Sequence, residues 1–140
     1  MMNFGDFEIL FVSDGFFKLD GGAMFGIVPK PLWNRETACD ERNRIQLRCN
    51  CPLIRAGSEH ILIDCGLGRK WNARQRDIYD IKEGPSLIDD LKHHGLSPLD
   101  ITAIVHSHLH LDHAGWNTRL DTAGEAVPVF ENAWHIVERR

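Results

Sequence analysis

Residues 108–113 concentrate the side chains of this chain that could do chemistry. They read HLHLDH, so three imidazoles and one carboxylate fall within six residues. Imidazole nitrogen and carboxylate oxygen together suit zinc, manganese or iron better than calcium or magnesium. Packing explains such a cluster poorly, because buried imidazoles and carboxylates need polar partners that an apolar core lacks. The sequence therefore predicts a metal site in this segment.

The spacing assigns these side chains to two metal positions. In an extended segment His108 and His110 project to the same side and can hold one ion. Asp112 and His113 follow where the chain turns and can reach a second ion. Counting from His106 is an alternative, because His106, His108 and His110 also alternate. We favour His108 as the first ligand, since only that start gives a two-metal pattern, and expect His106 to be a hydrogen-bonded histidine at the end of a strand.

The elements that must position this segment are a strand directly before it and a helix before that strand. The apolar residues 101–105 predict a buried strand. Pro85 at a first-turn position, the helical spacing of Leu87, Ile88 and Leu91, and Gly95 just past the last turn predict that helix. Two further short strands are predicted after the metal segment, at residues 127–130 and 134–137.

Two hairpins are predicted in the N-terminal part of the chain. Residues 7–12 have the aromatic and β-branched character of a strand, and Ser-Asp-Gly at 13–15 predicts a turn into residues 16–19. The second hairpin joins residues 45–54 to 60–64 through a turn at 56–59.

The stretch at residues 20–44 shows no periodicity and is predicted to be a long loop, a type that is usually functional or disordered. Its apolar residues Met24, Phe25 and Ile27 are candidates for lining a substrate pocket above the metal site. An equally good interpretation is that they cover the edge of the core.

Length, composition and charge favour a globular protein that acts on small molecules. The 140 residues are 43% hydrophobic and 26% charged, with a formal net charge of −4. Without a basic field, nucleic acid is not an expected partner. No secretory leader or long apolar run is recognisable, so we expect a cytoplasmic protein without membrane contact. The four cysteines fit no familiar zinc or redox spacing and are expected to be reduced.

The segment at residues 104–115, IVHSHLHLDHAG, closely resembles the HxHxDH signature of the metallo-β-lactamase superfamily. Residues 61–68, ILIDCGLG, are similar to the family's strand that ends in Asp-x-Gly. The resemblance covers most of residues 45–115. It implies an α/β fold of α+β type, the four-layer αββα sandwich. Residues 1–140 would form the N-terminal part of a single such domain, mainly its first αβ half.

The resemblance also implies a ligand set and an activity. His108 and His110 would hold the first metal ion, and Asp112 and His113 the second. Asp64 would accept a hydrogen bond from the N–H of a ligand imidazole and so fix the orientation of that ring. The implied cofactor is zinc, as two ions, with manganese or iron as alternatives. Two such ions activate a water, and Asp112 would orient it and shuttle a proton as the catalytic residue. The implied reaction is hydrolysis of an ester, lactone, thioester or related bond in a small-molecule substrate, and residues 20–44 look most like the lactonase branch.

The sequence departs from the family in one respect. Family members continue through a second αβ half that supplies further ligands, whereas His135 is the only histidine after His113. Two alternatives to a hydrolase therefore stand: a truncated, non-catalytic fragment or interaction half, and a mononuclear iron oxygenase on the same fold. A missing C-terminal half or a homo-oligomer would complete the site.

Overall fold

The computed structural model describes residues 2–139, which form two compact units. The first unit comprises the residues up to Gly15, Cys49–Trp71 and the residues from Gly84 onward. The second unit comprises Phe16–Arg48 and Asn72–Glu83. Within residues 2–139, none of the helices has the length and apolar character that a membrane span requires.

Most strands belong to one mixed sheet. Its members are β1 (Met2–Phe4), β2 (Phe7–Asp20), β3 (Arg44–Ala56), β4 (Glu59–Ile63), β5 (Ala103–Val105) and β8 (Trp134–Ile136). They lie side by side in the order β1-β2-β3-β4-β5-β8. The pairs β1 with β2 and β3 with β4 are antiparallel, whereas β5 runs parallel to both β4 and β8.

The remaining elements are short. A separate antiparallel ladder joins β6 (Thr118–Leu120) to β7 (Ala126–Pro128). The helices are α1 (Gly21–Phe25), α2 (Lys30–Glu36), α3 (Ala73–Tyr79) and α4 (Leu87–His93), with 3₁₀ turns at Pro98–Asp100 and Gly115–Asn117. The fold is thus a mixed α+β arrangement with one large sheet and few helices, as predicted.

The core of the first unit is built by the sheet register and closed by α4. Leu53 pairs with Leu62, and Leu62 pairs with Ile104, so the three side chains stand side by side on one face. Each of them is fully buried, as are Leu87 and Leu91 of α4. Apolar burial of this kind supplies the main driving force for folding.

Local signals predicted two elements well. Helix α4 begins after Ser86, whose side chain accepts a hydrogen bond from Asp89 N, and ends before Gly95, whose φ is +75°. The β3–β4 hairpin pairs Ala56 with Glu59, and Gly57 turns the chain with a φ of +62°. Both predictions are confirmed.

The predicted first hairpin is wrong. Strand β2 continues for 14 residues through Ser13, Asp14 and Gly15 without reversing. The physical reason is that Asp14 is not a turn residue but a buried acceptor for several distant N–H donors. Gly15 adopts a φ of +80°, which lets the strand pass this irregular position.

The predicted long loop at residues 20–44 is also wrong, because the segment contains α1 and α2. Asp20 caps α1 by accepting a hydrogen bond from Ala23 N. Pro29 and Pro31 stand at the start of α2, where a missing N–H is tolerated, and Trp33 is buried. The strands predicted at 127–130 and 134–137 overlap β7 and β8, whereas β6 is a strand that the sequence did not predict.

Candidate metal centre

The predicted metal segment begins where two parallel strands end. Asp64 follows β4 and His106 follows β5, so both lie at the same edge of the sheet. The backbone N–H of Asp64 donates to Val105 O at 3.0 Å, and that of His106 donates to Ile136 O at 2.9 Å. Beyond His106 the chain leaves the sheet and carries the candidate ligands into a turn where His108 and His110 are exposed and Asp112 and His113 are half-buried.

The structure brings the four predicted ligands into one patch. The ring centroids of His108 and His110 are 4.7 Å apart, and those of His108 and His113 are 3.9 Å apart. Asp112 Oδ2 lies 3.2 Å from His113 Nε2. The turn is closed by hydrogen bonds to His110 O from His113 N at 3.0 Å and from Ala114 N at 3.1 Å.

Asp64 supports this patch from the end of β4. Its Oδ1 accepts a hydrogen bond from Ser107 N at 2.8 Å, and its Oδ2 accepts from Ser107 Oγ at 2.6 Å and from His113 Nδ1 at 2.8 Å. Burial alone would raise the pKa of Asp64, but the hydrogen bonds from His113 and Ser107 hold that pKa below its usual value. The φ of Asp64 is +59°, a conformation that aspartate tolerates better than most residues.

The donor chemistry of the patch fits a metal cation. Because His113 Nδ1 donates its proton to Asp64, the lone pair of a neutral His113 ring lies on Nε2. That nitrogen faces Asp112 Oδ2 at 3.2 Å, and two acceptors this close repel each other unless a proton or a metal ion lies between them. Among residues 2–139, no three His, Cys, Asp or Glu side chains are yet arranged around one point as a metal requires.

His106 differs from the histidines of the patch, of which His108 and His110 are exposed and His113 is half-buried. Its side chain is buried, and its Nε2 lies 3.4 Å from His135 Nδ1. Its Nδ1 has no hydrogen-bond partner and lies 4.0 Å from Asp64 Oδ1. Burial lowers the pKa of His106. The expected hydrogen-bonded histidine is thus found with one of its two ring nitrogens unpaired.

Asp14 is the important residue that sequence reasoning missed. It is 1% exposed, and its Oδ1 accepts hydrogen bonds from Leu87 N at 2.7 Å and Trp116 Nε1 at 2.8 Å. Its Oδ2 accepts from Leu67 N at 2.6 Å and Gly68 N at 2.9 Å. Asp14 thereby joins β2 to the loop after β4, to the start of α4 and to the segment after the patch. The available signal was a charged residue inside an apolar run.

The loop after β4 holds the backbone of the metal segment. Cys65 N donates to His113 O at 2.7 Å, and Gly115 N donates to Gly66 O at 2.7 Å. A Cβ at Gly115 would stand 2.0 Å from the Leu67 backbone, so only glycine fits there. Cys65 Sγ donates to Asn117 Oδ1 at 3.1 Å, and burial raises the pKa of this thiol to about 12. Cys65 is a buried packing residue.

The candidate pocket residues belong to the second unit. Met24 and Phe25 are in α1, where Phe25 stacks on Trp33 with ring centroids 5.0 Å apart. Met24 is exposed, and Ile27, just after the helix, is fully exposed. Their contact with a substrate stays a prediction.

Comparison with known proteins identifies the family to which this fold and this patch of side chains belong. Residues 44–137 match the model of the metallo-beta-lactamase superfamily. Since this match covers most of the chain, the protein belongs to the metallo-β-lactamase superfamily.

Several known proteins are similar to this chain. A probable metal-dependent hydrolase from Staphylococcus aureus has 40% sequence identity and a TM-score of 0.86 over 98% of this chain. The N-acyl homoserine lactonase AttM of Azorhizobium caulinodans is 38% identical over 66 residues, which is 46% of this chain. The dizinc quorum-quenching lactonase AidC, at 24% identity and a TM-score of 0.64 over 96% of this chain, shares the fold.

The relatives are longer than this chain. The matched part is 48% of the Staphylococcus aureus protein, 42% of AidC and 21% of AttM. A metallo-hydrolase from Annulohypoxylon moriforme is covered over 28% of its length. The chain thus spans half or less of each of these proteins.

Proposed function

We propose that this chain supplies metal-binding residues of a hydrolase that cleaves an ester, lactone, thioester or related bond in a small molecule. The observation that carries the proposal is the convergence of three imidazoles and one carboxylate, with His113 Nε2 facing Asp112 Oδ2 at 3.2 Å. The names of AttM and AidC make lactones the first substrates to test. The formal net charge of −4 disfavours nucleic acid as a partner.

Each residue of the patch would have a distinct role. His108 and His110 would hold one ion, Asp112 and His113 a second, and zinc is the preferred metal. When bound, such ions supply an activated water and stabilise negative charge on the substrate oxygen. Asp112 would accept a proton from the attacking water, and Asp64 would keep His113 oriented through the 2.8 Å hydrogen bond from its Nδ1.

We also propose that the site needs donors from outside these residues. A catalytic zinc normally has three protein ligands and a water, whereas this chain gives each ion two. Exposed apolar side chains also indicate that another polypeptide surface packs here. Phe4, Phe7 and Phe11 are exposed on the β1–β2 pair, and Trp134 of β8 is 80% exposed. A further part of a longer protein, such as a C-terminal half, or a second copy of the chain would cover such surface.

Calorimetric titration with zinc, run alongside assays on lactone, thioester and phosphoester substrates, tests both proposals. We expect weak zinc binding that His110→Ala abolishes, slow hydrolysis, and self-association. Elemental analysis of protein loaded from mixed metals separates zinc from manganese and iron. Absence of any metal binding would refute the hydrolase proposal, and tight binding of two ions with rapid turnover by a monomer would refute the need for outside donors.

A further inference from the structure

Ser107 lies between Asp64 and His108, and the metal signature gives this serine no role. Its Oγ is 2.6 Å from Asp64 Oδ2 and 3.0 Å from His108 Nδ1. The same Oγ lies 3.4 Å from His113 Nδ1. The backbone N–H of Ser107 donates to Asp64 Oδ1 at 2.8 Å, which fixes the serine against the carboxylate. One hydroxyl is therefore in reach of a carboxylate and two candidate metal ligands.

The direction of each hydrogen bond follows from the groups involved. An ionised carboxylate can only accept, so the Ser107 hydroxyl donates its single proton to Asp64. The lone pairs of Ser107 Oγ then remain to accept a proton from His108 Nδ1. A neutral imidazole carries one proton, so His108 with Nδ1–H has its lone pair on Nε2. His113 has the same tautomer, with its proton on Nδ1 and its lone pair on Nε2, because its Nδ1 donates to Asp64 without an intervening hydroxyl.

We propose that Ser107 is a positioning residue through which a single carboxylate, Asp64, orients one imidazole at each of the two metal positions. Asp64 acts on His113 directly and on His108 through the Ser107 hydroxyl, so both rings present Nε2 to the metal. This inference rests on the proposed metal site and adds the residue that links its two halves. It also means that the metal-facing nitrogens are selected before any ion arrives, which reduces the ordering that binding requires.

The test compares Ser107→Ala, which removes the hydroxyl, with Ser107→Thr, which keeps it. Ser97→Ala is a matched control, because Ser97 donates to Asp100 from both N and Oγ at 2.7 Å, the same kind of contact away from the patch. Nitrogen-15 NMR of the metal-free chain reads which ring nitrogen carries the proton. We expect Nδ1–H at His108 in the parent, in Ser107→Thr and in Ser97→Ala. In Ser107→Ala we expect the proton of His108 to redistribute to Nε2 while His113 keeps Nδ1–H.

Zinc affinity, measured by competition with a chromophoric chelator, is the second readout. We expect Ser107→Ala to weaken zinc binding about 10-fold, the lower end of the range for residues that orient a metal ligand. Ser107→Thr and Ser97→Ala should stay close to the parent. An unchanged His108 tautomer in Ser107→Ala, or a threonine variant that behaves like alanine, would overturn the inference. If the parent itself fails to bind zinc, the proposed metal site is refuted, and the tautomer comparison separately decides the hydrogen-bond relay.

Discussion

Asp14 and Asp64 are two carboxylates of the same compact unit, and they differ in the kind of donor that surrounds them. Asp14 accepts four hydrogen bonds, from three backbone amides and the indole of Trp116. None of these donors has a lone pair to offer another group. Asp64 accepts from Ser107 and His113, and both of those side chains also have acceptor capacity.

This difference in hydrogen-bond donors gives the two carboxylates different roles: Asp14 is an anchor that holds chain segments together, and Asp64 is a residue of the candidate site. The partners of Asp14 are backbone or core groups, so its carboxylate fixes the positions of chain segments and nothing beyond them. The partners of Asp64 have a second polar atom whose direction is set by the hydrogen bond to Asp64. An imidazole held at Nδ1, for example, presents Nε2 to a metal. The pKa values move in opposite directions: burial raises that of Asp14, and hydrogen bonds lower that of Asp64 despite its partial burial.

The largest expected effect is on stability and concerns Asp14. The isosteric change Asp14→Asn places an NH₂ group against N–H donors and leaves buried donors without an acceptor. Each buried donor left without an acceptor costs about 1–3 kcal/mol of unfolding free energy. Urea denaturation followed by circular dichroism measures it.

The matched control for Asp14 is Asp121→Asn. Asp121 Oδ1 also accepts two backbone N–H bonds, from Ala123 at 2.8 Å and Glu125 at 2.9 Å, but in an exposed turn. Its loss should cost about 1 kcal/mol, as for an exposed cap. Equal losses at Asp14 and Asp121 would show that Asp14 is no anchor.

The next effect concerns metal affinity and tests whether the metal site begins at His108 or at His106. His108→Ala removes a direct donor from the patch, whereas His106→Ala removes a buried ring beside His135. We expect His108→Ala to weaken zinc binding by more than about 100-fold, above the range for residues that only orient a ligand. His106→Ala should lose less, as read by elemental analysis and chelator competition. Similar losses in the two variants would favour the register that starts at His106.

Asp64→Asn is expected to have an intermediate effect on the metal and a small one on the fold. An amide can still accept from Ser107 N, but it holds the His113 Nδ1–H less strongly than a carboxylate does. Zinc affinity should fall about 10- to 100-fold. The urea midpoint should stay much nearer the parent than that of Asp14→Asn. A variant with the parent's zinc affinity would reduce Asp64 to a turn residue.

Sequence patterns predicted the elements whose signals are local. Ser86 and Gly95 bracket α4, and Gly57 turns the β3–β4 hairpin, so a few neighbouring residues sufficed. The Ser-Asp-Gly segment at 13–15 is an equally good local turn signal, but distant donors to Asp14 override it. Trp116, 102 residues further along the chain, is one of them. No local pattern encodes such a contact.

The same distinction applies to the candidate site. Residue chemistry and spacing named His108, His110, Asp112 and His113, and the structure gathers them, although their role as metal ligands stays a prediction. Ser107 could not be found in this way. Its relation to Asp64, 43 positions earlier in the chain, depends on the parallel pairing of β4 with β5.

The smallest effect is a pH dependence in which the two carboxylates should have opposite signs. The folded-state pKa of Asp64 lies below its unfolded value of about 3.9, so its stabilising contribution is complete above that value and is lost as the pH falls through the folded pKa. The folded-state pKa of Asp14 is raised above its unfolded value. Between these two pKa values the folded chain binds more protons than the unfolded chain, so stability decreases as the pH rises from the lower to the higher.

Urea denaturation of the parent, Asp64→Asn and Asp14→Asn from pH 7 into the acid range measures both differences. As the pH falls, the advantage of the parent over Asp64→Asn should shrink, while its advantage over Asp14→Asn should grow. Two curves with the same slope would mean that the two carboxylates do not occupy opposite environments, and the distinction between anchor and site residue would fail.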